Sequence, residues 1–356
     1  MTYQMKDYHF EIPKELIAQT PVTPRDHSRL MVVDQASGQI EHAHFYDLPR
    51  FLSAGDLLVS NNSQVIRARL RAHRLPGGGK VEIFLLKPVD SQSHQWSALY
   101  RSSKSAGPGI EFEVQKSWGA LKGEVLRVDP ETRGGVFVQF DQDPIAKQWG
   151  EIPLPPYIES TEASQAYYKT VYEKQLGSVA APTAGFHFTQ ELLERLKQTN
   201  VCWEELTLHV GLGTFQPVQA KDIREHQMHE ETFEIPSSLA EHWQKTREAG
   251  KKVVAVGTTS LRALESAYDF QKQKIVSMFD HTQIYLYPGK PVHSIDGLIT
   301  NFHLPDSTLI LLVSAVAGKE LIQKAYQEAI KEKYRFYSFG DAMLILRGDS
   351  KKNVAG

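Results

Sequence analysis

Apolar positions along this chain follow three successive patterns, and each predicts a different architecture. From 56 to 60 the residues after the aspartate are apolar almost without interruption, as in a strand buried on both faces. Between about 66 and 153 the pattern shortens to strand-like segments at 80–87, 95–100, 110–114, 123–128 and 135–140. Turn-forming runs separate them, Pro76-Gly77-Gly78-Gly79, Gly107-Pro108-Gly109 and Arg133-Gly134-Gly135, and only 145–149 has any helical spacing. Such a region predicts a small closed or sandwiched β domain. Beyond Pro153 the two periodicities alternate. Helices are predicted over 188–198, 238–248, 259–268, 307–316 and 318–331, and strands over 203–210, 251–257, 282–287 and 341–346. Ser238-Leu239-Ala240-Glu241 reads as a capping box. The economical reading is an α/β main domain, residues 1–65 plus 154–356, with an inserted all-β, barrel-like domain at 66–153.

One stretch obeys neither periodicity. Residues 178–187 read Ser-Val-Ala-Ala-Pro-Thr-Ala-Gly-Phe-His, with little side-chain surface to pack and a proline that removes an N–H. The backbone itself must lie against something, either a ligand or the neighbouring elements. Thr189 is placed to cap the helix that follows, so the loop runs into a helix N-terminus, where N–H groups favour an anionic or strongly polar partner.

Composition narrows the class. Over 356 residues, 41% hydrophobic and 23% charged are the proportions of an ordinary globular protein of about two domains, with disorder expected only at 350–356. The first residues lack the order of a signal peptide, and no apolar run approaches the roughly 20 residues of a membrane span. Residence in the cytoplasm is expected, with no membrane partner. A single cysteine, Cys202, excludes an internal disulfide and is expected to be a core residue. The net charge of −2 excludes a general polycation, so any contact with nucleic acid must be local.

Several constellations carry candidate chemistry. Arg67, Arg69, Arg71 and His73 recur at period two, so a strand there projects all four from one face, suited to a phosphate backbone or simply to solvent. His209 precedes Gly211-Leu212-Gly213, a backbone-lined turn that lacks the third glycine of a dinucleotide fingerprint. His226 and His229 stand three apart without the glutamate a zincin helix needs, so no metal site is expected. Val253 to Val256 reads as a buried strand breaking at Gly257 into Thr258, Thr259 and Ser260, which open a helix carrying Arg262 and Glu265. Junctions of this kind sit at the carboxyl edge of α/β sheets, where ligands bind. Asn301 and His303 follow another strand, and Asp341 follows a glycine turn.

Taken together these runs resemble the S-adenosylmethionine:tRNA ribosyltransferase-isomerase family of queuosine biosynthesis. The similarity runs nearly end to end, from Pro13-x-Glu15-Leu16-Ile17-Ala18-Gln19 and Arg25-Asp26-x-Ser28-Arg29-Leu30 through Pro153-Leu154-Pro155-Pro156-Tyr157-Ile158. It continues in 177–189, 207–215, 257–266, 296–305 and 334–345. The resemblance implies an α/β domain with an inserted β-barrel. It also implies transfer and isomerisation of the ribosyl part of S-adenosylmethionine onto 7-aminomethyl-7-deazaguanine in tRNA, giving epoxyqueuosine with release of adenine and methionine. That chemistry needs a base beside the sulfonium and help for departing adenine, and no metal or redox cofactor, since S-adenosylmethionine is consumed as a substrate.

Roles are then assigned to residue types. His187 and His209 are candidates for proton transfer, with Asp341 as a third catalytic candidate. Asp341 and Glu265 suit ribose hydroxyls or the sulfonium charge, Thr258, Thr259, Ser260 and Arg262 the methionine carboxylate, and Asn301 and His303 a base edge. Thr183, Gly185, Gly211 and Gly213 complete the small-molecule loops, Arg67, Arg69 and Arg71 are assigned to tRNA, and a monomer is expected. Against the family pattern, Gln64, Glu159 and Asp306 stand where positive or otherwise charged residues are usual. The rival reading is therefore a divergent, non-catalytic or retargeted RNA-binding paralogue.

Overall fold

The computed structural model describes residues 3–90, 92–159, 161–211 and 218–348; the tail expected to be disordered lies outside them. The chain separates into two compact units, one of Met1–Ser63, Pro156–Gln175 and Ala181–Gly356, the other of Gln64–Pro155 and Leu176–Ala180.

Along the chain, β1 (Arg29–Asp34) and β2 (Ile40–His44) are followed by β3 (Leu57–Asn61) and the short β4 (Ser63–Val65). Then come β5 (Arg69–Leu75), β6 (Lys80–Asp90), β7 (Gln95–Ser102), β8 (Ile110–Lys116), β9 (Gly119–Val128) and β10 (Gly135–Phe140). After α1 (Glu162–Tyr167) and β11 (Gln175–Ser178), the chain forms α2 (Gln190–Gln198), β12 (Cys202–Leu208), β13 (Glu231–Ile235), α3 (Ser237–Glu248), β14 (Val253–Val256) and α4 (Thr258–Ser266). Next are β15 (Tyr268–Asp269), β16 (Lys274–Ile275), β17 (Met278–Thr282), β18 (Gly297–Asn301), α5 (Thr308–Ala317), α6 (Lys319–Lys331) and β19 (Ala342–Leu346).

The first unit is built on a nine-stranded sheet in the order β17-β13-β12-β3-β14-β18-β19-β1-β2. Strands β12, β3, β14 and β18 run parallel, and every residue of β3, β14 and β18 is buried, which is why their sequences are continuous apolar runs rather than alternating ones. On one face Leu58, Val254, Val256 and Ile299 pack with Phe188, Leu192 and Leu196. Leu192 and Leu196 are spaced to share one side of α2, and each buried leucine contributes about 2 kcal/mol. Thr189 caps this helix by accepting from the Leu192 N–H at 3.1 Å, as its position in the sequence predicts.

Four expectations need correction. The predicted strand at 282–287 is displaced to β17, because the Thr282 side chain accepts from the Ile284 N–H and turns the following residues out of the ladder. The capping box at 238 does not form: α3 begins after Pro236, and Ser238 donates instead to Glu204. Residues 145–149 form a turn rather than a helix. Cys202 is half-buried at the start of β12 rather than in the core.

The second unit contains a closed barrel, β10-β7-β6-β5-β8-β9, all of whose pairings are antiparallel. Alternation on β5 sends Leu70 and Ala72 inward and leaves Arg71 and His73 exposed.

Candidate active site

Parallel strands share a carboxyl edge, and in the first unit that edge gathers Asn61, the end of β12, the junction after Val256, and Asn301. At the junction Gly257 takes φ 93°, which only glycine adopts without strain, and the chain turns directly into α4. The Ser260 hydroxyl donates to the Val256 carbonyl at 2.7 Å and is thereby occupied. Thr259 Oγ1 is buried and finds no partner among the described residues.

One turn into α4 lies Arg262, 3% exposed, whose Nη1 pairs with Glu231 Oε2. Glu231 opens β13, and its Oε1 accepts the Gly211 N–H at 2.9 Å. The remaining edge of the guanidinium, Nε and Nη2, has no hydrogen-bond partner among the described residues. His209 follows β12, its N–H donating to the Thr232 carbonyl at 2.9 Å, while its Nδ1 is buried and also finds no partner among the described residues. Burial lowers the His209 pKa, with Glu234 opposing, so the ring is held in its neutral form. Arg262 also lines a recess with Met228, Ile284, Leu286, Thr308 and Leu312. The Tyr285 hydroxyl in the same wall is a further buried group without a partner among the described residues. Each such group costs about 1–3 kcal/mol while unpaired, and a concentration of them at a sheet's carboxyl edge is the signature of a site that a polar ligand completes.

The small-residue loop adjoins this site. Residues Thr183–His187 form a single 3₁₀ turn, and a Cβ built on Gly257 would lie 3.5 Å from the Ala184 Cβ. A Cβ on Gly185 would fall 2.0 Å from the Tyr172 hydroxyl, so that glycine is required by close packing under its neighbours. His187 is buried between Ser28 Oγ, 2.7 Å from Nδ1, and Asn301 Nδ2, 3.1 Å from Nε2. Because the Asn301 amide donates, Nε2 is the acceptor and Nδ1 carries the proton toward Ser28. Asn301 is itself fixed, accepting from the Thr183 hydroxyl at 3.2 Å and donating to the Tyr337 carbonyl at 3.1 Å. Burial, reinforced by the Arg25 and Arg335 charges, pushes the His187 pKa down to about 3. His303 bonds the Thr300 hydroxyl through Nε2 at 2.7 Å, and burial lowers its pKa to about 3 as well.

The residues assigned from sequence therefore divide. Thr258, Thr259, Arg262, His209, Gly211 and Asn301 lie at the edge, with Thr183, Gly185 and His187 on the adjoining turn, while Gly213 lies outside the described residues. Glu265 is already used: its carboxylate accepts from the His293 and Ser294 N–H groups and from the Ser294 hydroxyl at 2.6–3.1 Å. Asp341 is likewise committed, accepting the Arg29 N–H at 2.9 Å and the Arg335 N–H at 2.8 Å. It clamps the start of β1 to the turn before β19. In the second unit Arg67 precedes β5 rather than joining the row. Arg69 lies 3.7 Å from Glu82, and Arg71 Nε donates to Glu151 at 2.8 Å. His226 packs against the Tyr285 ring at 5.2 Å, and no cluster of three His, Cys, Asp or Glu side chains suited to a metal occurs among the described residues. Glu231 and Tyr285 carry no signal in the sequence beyond residue type, and Ser28 only its place in the Arg25–Leu30 run, since what matters is the partner each meets across the fold.

The match to known proteins covers nearly the whole chain. Residues 5–345 fit the model of a family described as queuosine biosynthesis protein. A relative in Halothermothrix orenii, named S-adenosylmethionine:tRNA ribosyltransferase-isomerase, is 46% identical over 96% of this chain and 100% of its own. Another of that name in Clostridioides difficile is also 46% identical, over 96% of this chain and 99% of its own. The crystal structure of an S-adenosylmethionine tRNA ribosyltransferase from Thermotoga maritima is 34% identical, covers 96% of this chain and 100% of that one, and superposes with a TM-score of 0.54.

Proposed function

The chain belongs to the queuosine biosynthesis protein family, and from that premise we propose that it is an S-adenosylmethionine:tRNA ribosyltransferase-isomerase. It moves the ribosyl part of S-adenosylmethionine onto 7-aminomethyl-7-deazaguanine in tRNA, isomerises it to epoxyqueuosine, and releases adenine and methionine. End-to-end identity of 44–46% to four relatives of that name carries the reading.

The edge supplies what the chemistry asks for. A proton leaves the carbon beside the sulfonium, and His209, kept neutral by burial with Nδ1 unpaired, is the group in state to take it. His187 has both ring nitrogens engaged, so its part is to orient Asn301 rather than to exchange protons. Thr259 and Arg262 hold buried polar atoms without a partner among the described residues, which polar groups of the substrate would satisfy. The transferred group arrives already activated as a sulfonium, so no metal or redox cofactor enters the scheme, and S-adenosylmethionine is a substrate.

Work in the cytoplasm as a monomer belongs to the same proposal; no helix among the described residues is long and apolar enough to cross a membrane. No feature of the described residues favours the RNA-binding paralogue. The test is mass spectrometry of tRNA carrying 7-aminomethyl-7-deazaguanine after incubation with the protein and S-adenosylmethionine. A mass gain matching epoxyqueuosine with free adenine is expected, and an unchanged nucleoside beside an active relative would overturn the assignment.

A further inference from the structure

Arg262 is a charged group that the fold has desolvated, aimed and then left half-used. Of its guanidinium only Nη1 is paired, and Nε and Nη2, on the side away from that bond, find nothing among the described residues. Those two N–H groups form the flat fork that matches a carboxylate in bidentate geometry. The recess that Arg262 lines also carries the apolar side chains of Met228, Ile284 and Leu286.

We infer that Arg262 is the anchor for the α-carboxylate of the amino-acid end of S-adenosylmethionine, and that Glu231 is its positioning residue. This rests on the function proposed above and deepens it. Glu231 contributes through geometry: one oxygen holds Nη1, which fixes the rotation of the guanidinium and presents the Nε–Nη2 edge, and the other holds the Gly211 N–H. Carboxylate binding and the position of the chain at 211 are thereby tied through one side chain. A carboxylate is favoured over a tRNA phosphate because Arg262 and Glu231 are 3% and 5% exposed, too enclosed for a polynucleotide backbone.

Calorimetry with S-adenosylmethionine and with its decarboxylated analogue, which differs only in the lost carboxylate, tests the anchor apart from turnover. The unaltered protein is expected to prefer S-adenosylmethionine by about tenfold or more, the scale of a charge-assisted bidentate contact. Arg262→Lys and Glu231→Gln are expected to erase most of that preference while leaving affinity for the analogue within about threefold, and Glu231→Gln to raise KM more than it lowers kcat. Equal binding of both ligands to the unaltered protein, binding of neither, or parallel loss of both in the variants would overturn the anchor. So would variants that keep the preference but lose salt-dependent affinity for tRNA, which would assign Arg262 to a phosphate. Should the preference hold while modified tRNA is never formed, the anchor would stand and the proposed reaction would fall.

Discussion

The carboxyl edge of the parallel sheet and the outer face of the barrel both present charged and polar side chains, yet, Arg69 Nε on β5 apart, they treat them in opposite ways. At the edge, Arg262 and Thr259 are buried and His209 half-buried, each with buried polar atoms that find no partner among the described residues. On the barrel, Arg71 is well exposed and already paired with Glu151, and Arg101 lies 3.7 Å from Glu82. An unpaired buried group costs about 1–3 kcal/mol, whereas an exposed ion pair is worth about 0–1 kcal/mol. Only the first arrangement stores an imbalance that a small ligand can relieve. The second is a solvated surface whose charges are free to exchange partners, as contact with a phosphate backbone requires.

The largest effect that separates the two regions is on stability. Asp341→Asn keeps the shape of the side chain but turns an amide toward one of two N–H groups, at Arg29 or Arg335, that the carboxylate now satisfies. A loss of about 2–4 kcal/mol is expected in urea unfolding. Glu82→Gln on the barrel, whose partners stand at 3.7 Å, should cost less than about 1 kcal/mol. Equal losses would remove the distinction.

The next effect is on pH dependence. His187 and His303 have native pKa values depressed from 6.5 to about 3 by burial. The unfolded chain therefore binds protons below 6.5 that the native state refuses. Their contribution is complete above that pH and is lost as pH falls from 6.5 toward 3, by at most about 1.4 kcal/mol per pH unit for each ring. Unfolding midpoints measured between pH 7.5 and 4.5 should fall accordingly, with a shallower slope in His303→Gln. A flat profile would mean that these rings are hydrated in solution.

The same contrast explains how much could be read from the sequence. Val253 to Gly257 announces a buried strand and a forced turn, because periodicity and glycine chemistry act locally. The barrel strands announced themselves by alternation and by their glycine turns. Glu265 and Asp341 misled because a carboxylate beside a glycine loop reads alike whether it awaits a ligand or already accepts two or three N–H groups, and those donors come from 28 and from 6 and 312 positions away. Glu231 was silent for the same reason, since its worth lies in reaching both Arg262 and Gly211. The strand expected at 282–287 failed where one hydroxyl, that of Thr282, outweighed a good apolar pattern.

The smallest effect sharpens the comparison most, because it asks whether the barrel's paired charges are spent or held in reserve. If the arginine row meets tRNA, Arg71 must leave Glu151, and the pair competes with binding. Glu151→Gln removes that competition and is expected to strengthen tRNA affinity a few-fold, whereas Arg71→Ala should weaken it and reduce the slope of log K against log salt by about 1. Neither change should move the KM for S-adenosylmethionine. Both affinities are read by filter binding across a salt series. If Glu151→Gln and Arg71→Ala leave them alike, the row is a solvated strand face and tRNA is held by other charges. An opposite shift in the two variants would show that an ion pair of negligible worth to stability sets the affinity for the larger substrate.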